Sequence, residues 1–210
     1  MAIFKKSEPA PKPMGKFIVI EGSGSTDKNT QVELLAKTLG SYDYDGMVFD
    51  FPQYSSVSAE MLTNYSEGKY GDLNPEATSI LFALDRFDAG FDIRQHLSEG
   101  KIILANRYTS SSAAHQGSKI LDRTDRIKFY KWLDNLEHSI FNIPKPDLTI
   151  ILHSSPDKNE ADTAYAEIAS LFPNTKLVEC SEQGTMLSAQ EIHAKVWELV
   201  RRMVLRNNSF

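Results

Sequence analysis

The strongest constraint on the fold is a regular alternation of short apolar runs with longer segments of helical spacing. Five runs have the length and composition of strands: Phe17–Glu21, Met47–Phe51, Ile102–Ala105, Leu148–Leu152 and Lys176–Cys180. Short continuous apolar runs are typical of strands buried on both faces of a parallel sheet. Strands that alternate with helices form βαβ units, with helices on both faces of the sheet. The pattern therefore predicts a three-layer α/β/α fold around a five-stranded parallel sheet.

The segments between the strands supply the predicted helices. These are Thr30–Leu39, Ser58–Ser66, Asn74 to about Ser98, Ser110–Gly117, Arg123–Phe141, Thr163–Leu171 and Ser188–Leu205. The third begins at a capping asparagine followed by Pro75, and Gly90 is a candidate break within it. Ligands of such folds bind beyond the carboxyl ends of the strands. We therefore look for function in the residues that follow the first three strands.

Length and composition favour a single globular domain and exclude several other classes of protein. The chain has 210 residues, 41% of them hydrophobic, which favours one globular domain over residues 15–210. Residues 1–14 hold three prolines and three lysines without an apolar core, which predicts a flexible tail rather than a secretory signal. No apolar run approaches the roughly 20 residues that span a bilayer, so no membrane partner is expected.

The net charge and the single cysteine exclude further classes of protein and of binding site. The net charge of -5 argues against a dedicated nucleic-acid binder but allows a local cationic pocket for a small anion. The single cysteine, Cys180, excludes an intramolecular disulfide and a cysteine-based zinc site. Such usage fits a reducing compartment and predicts a cytoplasmic protein.

The loop after the first strand carries the first chemical signal. Its sequence, from Glu21 to Gln31, joins a strand to a helix, which is the context of the phosphate-binding motif G-x-x-x-x-G-K-[ST]. Gly22 and Lys28 match that motif, whereas Asp27 and Asn29 replace its second glycine and its hydroxyl. The candidate phosphate-binding residues are Gly22, Ser25, Thr26, Asp27, Lys28, Asn29 and Thr30. A plain Gly/Ser-rich turn is the alternative interpretation of this loop.

The two replacements have physical consequences. A carboxylate about 4 Å from a phosphate oxygen costs on the order of 4 kcal/mol at an effective dielectric of about 20. Asp27 should therefore weaken nucleotide binding unless it turns outward or pairs with Lys28 or a metal ion. Asn29 keeps an oxygen that can contact Mg²⁺, and the helix N-terminus still favours an anion.

Three further motifs add to the loop. Phe51-Pro52 ends the second strand, LFALDRF covers residues 81–87, and GKIILANRYTSSSAAHQG covers residues 100–117. With FIVIEG…K-x-TQ over residues 17–31, this order resembles the thymidylate kinase family, P-loop enzymes that phosphorylate dTMP with ATP. The resemblance extends from about Gly15 to Leu205, and it implies a P-loop NTPase-type fold.

The resemblance also implies roles for individual residues. Lys28 would contact the transferring phosphates and Arg107 the acceptor phosphate, which makes these two the catalytic candidates. The implied substrate-binding set is Phe51, Tyr54, Phe82, Arg86, Arg107, Ser111, His115 and Gln116. Phe82 would stack on thymine, and Arg86, four residues later on the same helix face, would lie near the base and the monophosphate. The alternatives are a core position for Phe82 and an ion pair of Arg86 with Asp85 or Asp88.

The departures from the family pattern concern charge. Asn106 stands where the family has an aspartate near Mg²⁺, so Asn29 and Asn106 are the tentative metal ligands. Gln53-Tyr54 replaces a segment in which the family has an arginine, and Gly24 stands where an aspartate is common. The lid segment, residues 153–174, holds one lysine and four acidic residues instead of the family's arginines.

Three functions remain open at this point. The leading hypothesis is a dTMP kinase that uses ATP with Mg²⁺, and that forms a homodimer as the resemblance implies. A non-catalytic nucleotide-binding protein on the same scaffold is the second, since the donor side has lost four features. The third is a kinase for another nucleoside monophosphate, which the residues Tyr54 and His115 suggest.

Overall fold

The computed structural model describes residues 14–23, 26–54, 59–154 and 160–205. Its main sheet contains five parallel strands: β1 (Lys16–Gly22), β2 (Gly46–Asp50), β3 (Ile102–Asn106), β4 (Leu148–His153) and β5 (Thr175–Glu179). The strands lie in the order β2-β3-β1-β4-β5. Every strand predicted from the sequence is present, with ends that differ by at most one residue. The predicted fold class is therefore confirmed.

The described helices alternate with these strands. They are α1 (Lys28–Ser41), α2 (Ala59–Ser66), α3 (Pro75–Ser98), α4 (Thr109–Gly117), α5 (Arg123–Asp134), α6 (Glu160–Leu171) and α7 (Ala189–Val204). A π-helical turn, Asn135–Ile140, continues α5. A short hairpin of β6 (Ser181–Glu182) and β7 (Thr185–Met186) precedes α7. None of the described helices is long and apolar enough to cross a membrane.

Two sequence predictions about the elements were wrong, and one element was missed. Gly90 does not break α3, which runs without interruption to Ser98. The predicted helix Arg123–Phe141 is α-helical only to Asp134 and then widens into the π-helical turn. The hairpin of β6 and β7 was not predicted, because two-residue strands leave no periodicity to detect. The predicted tail lies outside the described residues except for Met14.

The core lies on both faces of the sheet, because successive side chains of β1 point in opposite directions. Ile18 and Ile20 pack towards α1 and α7, whereas Phe17 and Val19 pack towards α3. All four are fully buried, and a side chain of this kind contributes about 1.5–3 kcal/mol when it leaves water. The central strand is therefore held from two sides, which fixes the position of the loop that follows it.

The carboxyl ends of three neighbouring strands meet at one edge of the sheet. Ile20 of β1 is in register with Asn106 of β3, and Asp50 of β2 is in register with the same residue. The segments that follow β1, β2 and β3 therefore begin side by side. They carry the candidate phosphate-binding loop, Phe51-Pro52 and Arg107.

Candidate active site

The loop after β1 is stabilised by hydrogen bonds from its side chains to one of its own backbone carbonyl groups. Gly22 adopts a φ of +149°, and a Cβ at this position would lie 2.6 Å from the carbonyl oxygen of Leu152, so only glycine fits. The Thr26 hydroxyl donates to the carbonyl of Ser23 at 2.8 Å. Lys28 Nζ donates to the same carbonyl at 3.0 Å. The described part of the loop thus curls around the lysine, while Ser25 lies outside the described residues.

Asp27 turns towards the helix that it precedes. Its carboxylate caps α1, accepting from the Thr30 backbone N–H at 3.1 Å and from the Thr30 hydroxyl at 2.5 Å. These two bonds lower the pKa of Asp27, so the side chain is an anion at neutral pH. The carboxylate therefore occupies a helix N–H group that a bound phosphate would otherwise use.

Lys28 is buried beside a second cation. Burial lowers the pKa of its ammonium group, and the nearby charge of Arg107 lowers it further. Two cations that repel each other at one edge of a sheet are stabilised by an anion bound between them. The two cations therefore favour the binding of negatively charged oxygens.

The two predicted metal ligands contact each other. Asn106 Nδ2 donates to Asn29 Oδ1 at 2.6 Å, so that oxygen is already engaged. Asn106 Oδ1 is buried and has no hydrogen-bond partner among the described residues. One neutral oxygen fits a Mg²⁺ that is held mainly by nucleotide phosphates and water. The described residues form no cluster of three His, Cys, Asp or Glu side chains that would hold a metal without the nucleotide.

A cavity of about 200 Å³ opens next to Arg107. Its lining residues are Phe51, Pro52, Tyr65, Phe82, Arg86, Arg107, Tyr108, Ser111, Ser112, His115 and Gln116. Seven of the eight predicted substrate-binding residues are in this set. The eighth, Tyr54, does not line the cavity, and 64% of its surface is exposed.

The aromatic end of the cavity is formed by α2 and α3. Phe82 is partly exposed to the cavity and meets the ring of Tyr65 edge-on, with 6.2 Å between the ring centroids. Phe82 does not belong to the buried apolar clusters of the described residues, so the alternative of a core position is not supported. Its ring is available to a planar ligand.

Arg86 is buried in an ion pair with Glu137. Its Nε and Nη2 donate to the two carboxylate oxygens at 2.6 Å each, and Nη2 also donates to the Ser112 hydroxyl at 3.0 Å. Burial opposes the charge of the guanidinium, but the attraction of Glu137 outweighs it and raises the pKa of Arg86. The alternative that Arg86 forms an ion pair is confirmed, but its partner is neither Asp85 nor Asp88.

A buried carboxylate, Glu21, organises the wall of the cavity that α4 forms. It accepts hydrogen bonds from the backbone N–H groups of Tyr108 and Ser111, at 2.8 and 3.0 Å, and from the Ser111 hydroxyl at 2.6 Å. Glu21 thus caps the first turn of α4, where Tyr108 supplies no side-chain cap. Burial raises the pKa of this carboxyl group, against the opposing effect of its hydrogen bonds.

Arg107 and His115 face the same cavity. The Arg107 guanidinium has no hydrogen-bond or ion-pair partner within the described ranges, so its charge is available to a ligand. Burial and the charges of Arg107 and Lys28 lower the pKa of His115, which keeps the imidazole neutral at pH 7. The Gln116 Oε1 atom is buried and unpartnered within the described ranges, which leaves one hydrogen-bond acceptor for a ligand.

Sequence reasoning missed six residues of the site, for different reasons. Four of them line the cavity: Pro52, Tyr65, Tyr108 and Ser112. All of these except Tyr65 stand next to a predicted residue in the chain. Glu21 was visible as a charge at the end of an apolar strand, which is a signal of a buried functional carboxylate. Glu137 left no signal, because it is 51 residues away from Arg86 in the chain.

The fold and the site together define a class of protein. A candidate phosphate-binding loop after β1, a cation after β3 and a cavity beside that cation are typical of P-loop phosphotransferases that act on nucleotides. The thymidylate kinase family model matches residues 20–195. The chain therefore belongs to the thymidylate kinase family, and it is a nucleotide-binding transferase.

Individual relatives agree with this assignment. A protein of Pyrobaculum aerophilum described as "Probable thymidylate kinase" is 30% identical over 203 residues, which cover 90% of this chain and 97% of that one. One from Thermococcus gammatolerans is 28% identical and covers 91% and 99%. The solved thymidylate kinase of Candida albicans shares the fold with a TM-score of 0.70 at 22% identity, covering 90% of this chain and 92% of its own.

Proposed function

We propose that this chain transfers the terminal phosphoryl group of ATP to dTMP, which gives dTDP and ADP. The observation that carries the proposal is the shared position of Lys28 and Arg107. Lys28 belongs to the phosphate-binding loop, Arg107 lines the cavity, and the two charges are close enough to affect each other. The proposed donor site and the proposed acceptor site would thus each place one cation near the phosphate that is transferred.

The acceptor nucleotide would lie in the cavity with its phosphate at Arg107. Phe82 would stack on the base, opposite the phosphate end, and Arg86 would contact the base. Ser111, His115 and Gln116 would line the base and the sugar, and Phe51 closes the cavity from the side of β2. The predicted role of Tyr54 stays a prediction that this cavity does not support.

The donor phosphates would lie on the loop of residues 22–30. Lys28 would neutralise charge that develops as a phosphate oxygen of dTMP attacks the terminal phosphorus and the bond to ADP breaks. Asn106 Oδ1 and the nucleotide phosphates would hold Mg²⁺, which supplies further neutralisation of the phosphate charge. No protein group has to remove a proton, because the attacking oxygen is already an anion, so the neutral His115 suits a lining role.

A homodimer is part of the same proposal. Helix α3 exposes Ile80, Phe87 and Phe91 at spacings of seven and four residues, and such spacings place the side chains on one face. A second copy of the chain would cover this face, in agreement with the family resemblance. A cytoplasmic location is also proposed, and the buried, unpaired Cys180 thiol is consistent with it.

The test is ADP formation with Mg·ATP across dTMP, dUMP, UMP, dCMP, AMP and GMP. We expect turnover selective for dTMP. Turnover with another acceptor would change the specificity, and no turnover from folded protein would favour a binding-only role, for which the capped helix of Asp27 and the neutral Asn29–Asn106 pair are the structural basis.

The role of Lys28 has its own test. Lys28→Met should lower kcat by about 10²–10³-fold, since a cation aimed at developing charge is typically worth that much. Lys37→Met, on an exposed position of the same helix, is the matched control and should leave kcat unchanged. Full activity of the Lys28 variant would contradict the assignment.

A further inference from the structure

We propose that a second cavity, between the sheet and helices α4, α5 and α6, binds an uncharged single-ring molecule with two carbonyl oxygens on one edge, which is the chemistry of a free pyrimidine base such as uracil. This site is distinct from the cavity beside Arg107 and does not depend on the proposed kinase activity. Helix α4 separates the two cavities: Ala113 lines the second one, whereas its neighbour Ser112 lines the first.

Two buried threonine hydroxyls form the polar floor of the second cavity. Thr149 of β4 is in register with Thr175 of β5, so the two side chains stand side by side on one face of the sheet. Both residues are buried, at 6% and 7% exposure. Their backbone N–H groups donate to the carbonyls of Asn174 and Phe172, but neither hydroxyl has a hydrogen-bond partner in the part of the chain that the structure describes. Buried polar groups without partners are unfavourable, so a ligand that bonds to both hydroxyls would be stabilised here.

The second cavity has the volume of about one ring and mostly apolar walls. Its volume is about 120 Å³, and a cavity of about 150 Å³ holds one benzene molecule. Leu133 of α5, Ile168 of α6 and Phe172, which follows α6, contribute to the walls. Well-packed interiors contain few voids larger than a water molecule, so a cavity of this size above two unpartnered hydroxyls indicates an occupant.

The charged groups at the rim favour an uncharged occupant. Asp134 and Lys145 line the cavity, are 31% and 53% exposed, and form an ion pair at 2.8 Å. His138 also lines it, and its Nδ1 donates to the Ile143 carbonyl at 3.0 Å. The charges of the ion pair compensate each other, so the rim offers no net charge that would offset the desolvation of an ionised ligand.

The spacing of the two hydroxyls favours a particular ligand edge. Neighbouring strands lie about 4.8 Å apart, so hydroxyls on two paired residues can lie at a similar separation. The two carbonyl oxygens of uracil flank one N–H at a comparable separation. The ring can therefore accept one hydrogen bond from each hydroxyl, while its C5–C6 bond faces the apolar walls. Benzene fits the same walls but leaves both hydroxyls without partners.

The experiment titrates uracil, and separately benzene, into the labelled protein. The readout is the set of methyl NMR signals of Ala113, Leu133 and Ile168, which all line the second cavity. Binding in the cavity beside Arg107 is recorded separately, because its lining residues are different there. We expect saturable shifts of these methyl signals with both probes.

Substitutions test the two hydroxyls. Thr149→Val and Thr175→Val should each weaken uracil binding about fivefold, the typical effect of one lost hydrogen bond, and should leave benzene binding unchanged within twofold. Thr149→Ser keeps the hydroxyl and should bind uracil within twofold of the wild type. Thr163→Val, at an exposed position of α6, is the matched control and should change the affinity for neither probe.

Two results would overturn the proposal. The first is the absence of uracil-dependent shifts at these methyl groups, in which case the cavity holds water only. The second is a uracil affinity that stays unchanged in both valine variants. If those variants do not fold, the wild type still decides: 2-pyridone, which has one carbonyl group, should bind about fivefold more weakly than uracil, and equal affinities would refute the role of the paired hydroxyls.

Discussion

Replacing Asp27 tests how a carboxylate fits into a phosphate-binding loop. Asp27→Asn keeps an oxygen that caps α1 but removes the charge, and asparagine is as good a cap as aspartate. Asp27→Gly removes the cap as well and restores the usual glycine of the loop. The two variants therefore separate the effect of the charge from the effect of the occupied Thr30 N–H.

The magnitude follows from the exposure of the carboxylate. Asp27 is exposed, so the repulsion from a phosphate oxygen about 4 Å away is close to the bulk-water value of about 1 kcal/mol, and not the larger value of a buried pair. Since 1.4 kcal/mol is a factor of ten, Asp27→Asn should tighten ATP binding about fivefold. Freeing the Thr30 N–H adds about 1 kcal/mol, so Asp27→Gly should tighten it roughly 20-fold.

The assay is the Kd of a non-hydrolysable ATP analogue with Mg²⁺, measured at low and high ionic strength. The gain should shrink at high salt, because exposed charges are screened. It should not change between pH 6 and 8. The pKa of Asp27 is lowered, so the carboxylate is ionised above its ordinary pKa of 3.8 and is protonated only as the pH falls below that value.

Asp122→Asn is the matched control. Asp122 caps α5 by accepting from the Asp125 N–H at 2.9 Å, and it is not part of the loop. This variant should leave the Kd of the ATP analogue unchanged. An Asp27→Asn variant with unchanged ATP affinity at low salt would refute the reasoning that the carboxylate competes with the donor phosphate.

The remaining predictions concern a buried acid and an exposed helix face. Burial raises the pKa of Glu21, so the free energy of unfolding of the wild type should decline as the pH rises from 4.5 through the folded-state pKa. In urea unfolding, Glu21→Gln should lack this part of the decline. Identical pH profiles of the two proteins would contradict the prediction. If the chain forms the proposed homodimer, Phe91→Asp should shift it to a monomer in light scattering. Leu121→Asp, at an exposed position before α5, should leave the proposed dimer intact. A Phe91 variant that stays dimeric would contradict the assignment of this face as the interface.

The strands and the loop could be predicted because their signals are local. Apolar runs define the strands, and Gly22 and Lys28 mark the loop that joins the first strand to a helix. The predicted break at Gly90 was wrong because this glycine allows close packing and does not interrupt the helix. A Cβ there would lie 3.2 Å from Pro144 Cδ, so glycine lets the segment before β4 approach an intact helix.

The partner of Arg86 could not be predicted in the same way. The sequence offers only acids close to Arg86 in the chain, and Asp85 and Asp88, one and two residues away, were therefore the acids considered. Glu137 reaches Arg86 from a π-helical turn, which has no sequence signature of its own. The location of the site followed from strand ends, whereas its charge balance depended on tertiary packing.

Glu21 links the two halves of the site mechanically. It is followed in the chain by Gly22, the first residue of the phosphate-binding loop, and its side chain holds the first turn of α4. Under the proposed function, a displacement of the loop by ATP would be transmitted through Glu21 to the first turn of α4, which lines the proposed acceptor cavity. Any such coupling is reciprocal in free energy, so whatever factor ATP imposes on the affinity for the monophosphate, the monophosphate imposes on ATP.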